Sequence, residues 1–171
     1  MLYSDVDIRK LLAKGAVKIS PLSDDQIGGA SVDLTLSDEW QMVKKKYLGK
    51  TIDLSKTDFK EVMQKKHAKS ITLKPGQLCL ARTVEKLTLS SSIIGSLEGR
   101  SRYARMGVCI HITSALVQPG SDNHQVLEIA NFAPFSITLH AGMRISQVVF
   151  EQLTSPSSKP YATYGTIAKK Q

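Results

Sequence analysis

Three arginines crowd one serine in the stretch Glu98-Gly99-Arg100-Ser101-Arg102-Tyr103-Ala104-Arg105-Met106-Gly107. The guanidiniums of Arg100, Arg102 and Arg105 repel one another unless an anion neutralises them, and Gly99 lets a ligand approach the backbone. A polyanion such as a triphosphate satisfies both conditions. With a turn from strand into helix at Gly99-Arg100, Ser101 is placed as the N-cap. Its hydroxyl and the following N–H groups then face phosphate or water, and Arg105 shares its helical face. Taken alone, the same residues also fit a capped surface helix with solvated arginines.

Glu128 is the second candidate. It sits in Val126-Leu127-Glu128-Ile129-Ala130, where period-two alternation places apolar residues on both faces. The pattern predicts a strand buried on both sides. A carboxylate in such a strand must be paired or keep its proton, and the second state suits general acid/base catalysis near neutral pH. A structural ion pair with one of the arginines fits too, and the residues alone leave both open. The histidines at 67, 111, 124 and 140 are scattered. The zinc-deaminase signature, the Walker loop and the G-x-G-x-x-G fingerprint are all missing. His111, inside Val108-Cys109-Ile110-His111-Ile112, reads as a packed strand residue.

Short strands must carry these groups. Ser4 and Asp7 cap a first helix, Ile8, Leu11 and Leu12 recur at helical spacing, and Gly15 ends it. A further helix is expected around Phe59, Val62 and Met63. Val32-Asp33-Leu34-Thr35-Leu36, Ile71-Thr72-Leu73 and Leu87-Thr88-Leu89 alternate as strands, with turns at Gly28-Gly29, Pro75-Gly76, Pro119-Gly120 and Ala141-Gly142. The expectation is a mainly β distorted barrel or jelly roll, formed as one domain over residues 1–153. Residues 154–171 form a flexible tail and a possible lid.

The 171 residues suffice for one real core, and 42% hydrophobic with 22% charged content is ordinary for a globular chain. The net charge of +8 favours anionic partners without choosing among them. Lys44-Lys45-Lys46, Lys65-Lys66 and Lys169-Lys170 read as solvated lysines. No aromatics interleave with them, so no nucleic-acid platform is expected. No apolar run nears the roughly 18 residues of a membrane span, and no leader pattern opens the chain. Cys79 and Cys109 lie singly in apolar segments and read as buried free thiols in a reducing cytoplasm, although a disulfide between them is not excluded by sequence.

Taken in order, Glu98-Gly99-Arg100-Ser101, Ala104-Arg105-Met106-Gly107-Val108, His111-Ile112-Thr113, Pro119-Gly120 and Leu127-Glu128 resemble the core of the dCTP deaminase family, within the dUTPase-like superfamily. Asp5-Val6-Asp7-Ile8, Gly29-Ala30-Ser31-Val32-Asp33-Leu34, Leu73-Lys74-Pro75-Gly76 and Gly142-Met143-Arg144-Ile145-Ser146-Gln147 extend the likeness. The resemblance implies a homotrimer with shared sites. It implies zinc-independent deamination of dCTP to dUTP and ammonia, with magnesium carried on the triphosphate. It makes Glu128 the acid/base, and Ser101 and Arg105 the pair that orients water and carboxylate. Arg100 and Arg102 fall in the phosphate segment. The backbone at Val126, Leu127 and near Ser114 reads the base, Gln118 lies near the sugar, and Gln147 is a polar contact. Tyr161 packs over the nucleotide, and His111-Ile112 matches a segment tied to inhibition by dTTP.

The departures from the family pattern bear on the reaction. Gln118 stands where the family has an acid before Pro-Gly, which disfavours dUTP hydrolysis by the usual route. Arg102 replaces a common second serine, and Ser121-Asp122-Asn123-His124 replaces an aromatic and glycine pattern. Ala168 stands at the tail lysine position, where Lys169 or Lys170 offer substitutes. A bifunctional deaminase–dUTPase, a plain dUTPase and a non-catalytic nucleotide-binding relative are the alternatives.

Overall fold

A computed structural model describes residues 1–111 and 113–165. Helix α1 (Asp5–Ala13) begins where the Ser4 hydroxyl accepts from the Asp7 N–H, and Ile8 is its buried anchor. Helix α2 (Phe59–Val62) is a single turn capped by Asp58. Met63, expected in that helix, instead opens a strand. Two more one-turn helices, α3 (Ser101–Ala104) and α4 (Tyr161–Tyr164), add to the expected pair.

The rest is mostly strand: β1 (Val17–Ser20), β2 (Val32–Val43), β3 (Met63–His67), β4 (Ser70–Leu73), β5 (Leu78–Leu89), β6 (Ile93–Gly99), β7 (Val108–Ile110), β8 (Leu116–Val117), β9 (Asp122–Asn131), β10 (Ile137–His140) and β11 (Arg144–Gln152). All pairings are antiparallel. The main sheet runs β7-β9-β5-β2-β11-β6-β8, with β1 added to β5 and β3 to β2, while β10 and β4 form a separate pair. The long strands β2 and β5 slip register between Leu36 and Trp40 and between Arg82 and Lys86. Each slip bends its strand, and the main sheet curls into a half-barrel, in keeping with the mainly β distorted barrel expected. Trp40, Phe150, Leu34, Leu36 and Leu127 fill the inside, and the Trp40 indole donates to the Ala68 carbonyl at 2.9 Å.

The slip in β5 turns a carboxylate inward. Glu85 is 2% exposed. One of its oxygens accepts from the Gln26 amide and the other from the Thr35 N–H, both at 2.8 Å. Thr83 donates to the Glu85 carbonyl and accepts from the Gln125 N–H, so the same segment fixes the start of β9.

Along β9, Gln125, Leu127, Ile129 and Asn131 are buried, while His124, Val126, Glu128 and Ala130 are only partly covered. The expectation of two covered faces is therefore corrected. One face of β9 meets the core, and the other borders an open cavity.

Both cysteines are free. Cys79 is buried in β5, and burial pushes its thiol up to about 12. Cys109, expected to be buried, is partly exposed. A thiol alkylating reagent at mildly alkaline pH should therefore label Cys109 alone in the native protein, and both cysteines once it is denatured. Mass spectrometry reads the adducts, and equal labelling rates in the native protein would contradict the assignment.

Candidate active site

Glu128 projects from the partly covered face of β9. The neighbouring strand β7 ends at Ile110, which pairs with Ile129, and the next residue meets Glu128. His111 lies just beyond the strand rather than in it, with φ +56° and 8% exposure. Its N–H donates to the Glu128 carbonyl at 2.9 Å. Its Nδ1 stands 2.6 Å from Glu128 Oε2 and 3.4 Å from the Glu128 N–H. The close approach is off the line of a well-formed hydrogen bond, so Oε2 is enclosed without a satisfied partner. The Glu128 side chain is still 39% exposed.

The exposed part opens into a cavity of about 880 Å³ on the face shared by β9, β5, β2 and β3. Val126 and Leu80 supply apolar wall, and α2 contributes Phe59 and Lys60. Between β3 and β5, Glu39 meets Lys65 at 3.1 Å and Arg82 at 3.3 Å. Burial works against the Glu39 charge, yet Lys65 and Arg82 together hold its carboxyl below the usual range. At the far rim, Thr88 and Lys86 hold the Asp122 carboxyl low in the same way. Lys65 is exposed, as expected of a solvated lysine, and also pairs with Glu39 along the cavity wall.

The arginine-serine segment lies elsewhere. Strand β6 ends at Gly99, and extended Arg100, not Ser101, is the residue that starts α3. The expected capping role of Ser101 is corrected: it is the first helical residue, and its carbonyl accepts from the Arg105 N–H. Arg100 turns inward to Asp33 at 3.2 Å and to the Arg144 carbonyl at 3.1 Å. Ser101, Arg102 and Arg105 are exposed, with the Arg102 guanidinium over the Tyr103 ring. Gly107 closes this turn at φ +78°, where a Cβ would stand 2.8 Å from the Ala133 nitrogen. A side chain there would push this turn away from the Ala133 backbone beyond β9. Because α3 leads into the start of β7 and Glu128 faces its end, one chain holds Ser101 and Arg105 apart from Glu128. None of these α3 residues lines the cavity.

The remaining candidates scatter. Gln147 accepts from the Ser31 hydroxyl at 2.8 Å and donates to the Gly99 carbonyl, beside Arg100. Gln118 uses its carbonyl to hold Ser121 in the turn before β9. Leu127 is fully buried, and Ser114 is exposed. Tyr161 sits on the Pro119-Gly120 turn, donating its N–H to the Pro119 carbonyl at 2.9 Å. Gly120 has φ +75°, and a Cβ there would strike Pro160 at 2.5 Å. Ile112, Ala168, Lys169 and Lys170 lie outside the described residues. Among those described, no three His, Cys, Asp or Glu side chains converge as a metal site.

Sequence reasoning missed the His111 contact, Glu39 and Arg82. The pairing of β7 with β9 makes the first visible, and the three-strand row makes the others visible.

Comparison with known proteins places the chain in a family. A family model described as dCTP deaminase-like matches residues 2–153. A dCTP deaminase, dUMP-forming, from Methanosphaera stadtmanae is 34% identical over 164 residues, covering 94% of this chain and 83% of the relative. A dCTP deaminase from Rhodospirillum rubrum is 35% identical over 179 residues, covering 99% and 92%. Among solved structures, the 2'-deoxycytidine 5'-triphosphate deaminase from Agrobacterium tumefaciens superposes with a TM-score of 0.67 at 22% identity over 89% of this chain. This chain spans about half of that protein's length, 48%. A Staphylococcus bacteriophage 80alpha dUTPase superposes at 0.53 with 13% identity, over 84% of this chain and 94% of the phage chain. Both structures share the fold.

Proposed function

Because the chain belongs to the dCTP deaminase-like family, we propose that it deaminates dCTP hydrolytically to dUTP and ammonia. Glu128 takes a proton from water as the oxygen attacks C4, and passes it to N3. The second water proton reaches the exocyclic nitrogen through the same carboxylate. The C4–N bond then breaks and ammonia leaves, with N3 keeping its proton in the product uracil. The observation that carries this reading is the enclosed Glu128 Oε2, 2.6 Å from His111 at the wall of the cavity.

Ser101 and Arg105 orient water and carboxylate from a neighbouring chain of a homotrimer. Their place at the other end of β7 supports a site shared between subunits. Arg100 and Arg102 belong to the phosphate segment, Arg100 by shaping it through Asp33. The backbone at Val126 and Leu127, with Ser114, reads the base. Gln118 lies near the sugar, Gln147 supports the Gly99 turn, and Tyr161 covers the nucleotide from its seat on Pro119-Gly120. Magnesium arrives on the triphosphate as part of the substrate, and no zinc takes part. His111 and Ile112 are where dTTP inhibits. The free thiols fit a cytoplasmic enzyme.

The Methanosphaera relative's designation favours a second reading, in which dUTP is cleaved onward to dUMP. Gln118 opposes it, since an amide does not activate water for attack at phosphorus. Incubation with dCTP and with dUTP, each with magnesium, separates the readings. Ammonia from dCTP without pyrophosphate is the expected result. Pyrophosphate appearing with ammonia establishes the second reading, and binding without either product establishes a non-catalytic relative.

A further inference from the structure

The cavity beside Glu128 carries more positive charge than its own carboxylates neutralise. Its cations are Lys60, Lys65, Arg82 and Lys86, and apart from Glu128 its carboxylates are Glu39 and Asp122. Lys86 is matched by Asp122 at 3.0 Å. Lys65 and Arg82 share the single carboxylate of Glu39. Arg82 meets Glu39 through one guanidinium nitrogen, and its side chain is 41% exposed. Its planar fork is thus open to a second, better matched anion.

Strand register sets the distances. Glu128 pairs with Leu80, Leu80 with Gln41, and Gln41 with Lys65. The row crosses three strand spacings, about 14 Å. Arg82 pairs with Val126, one diagonal step or about 7–8 Å from Glu128. A nucleotide laid across the strands, with its base at Glu128, meets Arg82 first and Lys65 last.

We propose that Arg82 and Lys65 bind the phosphate end of the nucleotide within the same chain that supplies Glu128. The proposal rests on the reading that the base is presented to Glu128. These cations act beside those of the α3 segment. On ligand binding, Arg82 exchanges the Glu39 carboxylate for phosphate oxygens.

The test is equilibrium binding of dCTP and deoxycytidine to the full chain in a Glu128→Gln background, which spares the ligand from turnover. Arg82→Met should raise the Kd for dCTP about 10- to 100-fold, the worth of one charged hydrogen-bonding group, and leave deoxycytidine unchanged. Lys65→Met should act in the same direction more weakly, and Arg82→Lys should recover part of the loss. Glu39→Gln should tighten dCTP binding by freeing both cations. An unchanged ratio of dCTP to deoxycytidine affinity in Arg82→Met overturns the proposal. So does a Glu39→Gln protein that loses dCTP as badly as Arg82→Met, since the triad then only ties strands together. Failure of the underlying reading appears separately, as ammonia release by the Glu128→Gln chain.

Discussion

Glu128→Gln is expected to cut ammonia release from dCTP by about 10³- to 10⁴-fold, with the KM nearly unchanged. The substitution keeps the shape of the side chain and its place against His111, 2.6 Å away. It removes the one group proposed to accept a proton from water and return protons to N3 and the leaving nitrogen. A loss confined to kcat marks an interaction used in the transition state and not in ground-state binding. Stability should barely move, because the side chain is 39% exposed, glutamine keeps its shape, and it anchors no strand. Steady-state ammonia assays with a thermal melt decide the matter. A variant that works at the wild-type rate would sink the role given to Glu128. A variant that melts far below the wild type would show that His111 and Glu128 form a structural pair.

Glu85→Ala should produce the largest loss of stability among single polar substitutions, about 3–5 kcal/mol. Glu85 is buried, and its two oxygens serve the Gln26 amide and the Thr35 N–H at 2.8 Å each. Alanine leaves both donors enclosed and unpaired, and opens space where the β5 register slips. For a chain of this size the melting temperature should fall by roughly 10 °C. Glu85→Gln, which keeps an acceptor, should cost less than half as much. Denaturant unfolding of the three proteins reads the series. Equal stability of alanine and glutamine variants would mean that the hydrogen bonds add nothing beyond volume.

The first helix was legible because Ser4, Asp7 and Ile8 act locally: a hydroxyl caps the N–H three residues on, and one apolar side chain finds the core. The β class was legible from alternation in β2 and β5. The end of the second helix was not, because Met63 is buried by pairing across to Val43, a partner twenty residues away. Val126 and Ala130 misled for a different reason. An apolar side chain lines a ligand-sized cavity, as Val126 does, or sits half-covered, as Ala130 does, as readily as it fills a core, so the pattern alone did not show which side of β9 was open. Ser101 was displaced from its cap by one residue, because Arg100 is drawn into extended backbone by Asp33 and the Arg144 carbonyl. The Lys65–Glu39–Arg82 group joins three strands that are distant in sequence. Only the register of β3, β2 and β5 brings it together.

Strand β7, three residues long, stands between Ser101 and Glu128, and under the proposed shared site turnover becomes a matter of encounters between chains. With Ser101 at one end and Glu128 at the other, two different dead proteins should repair each other. A chain carrying Ser101→Ala still lends its Glu128, and a chain carrying Glu128→Gln still lends its Ser101. Refolded together in equal amounts, they should regain up to about a quarter of wild-type turnover, the share of mixed interfaces that pair two intact halves. Diluting the wild type past its assembly constant should lower the rate per chain by mass action.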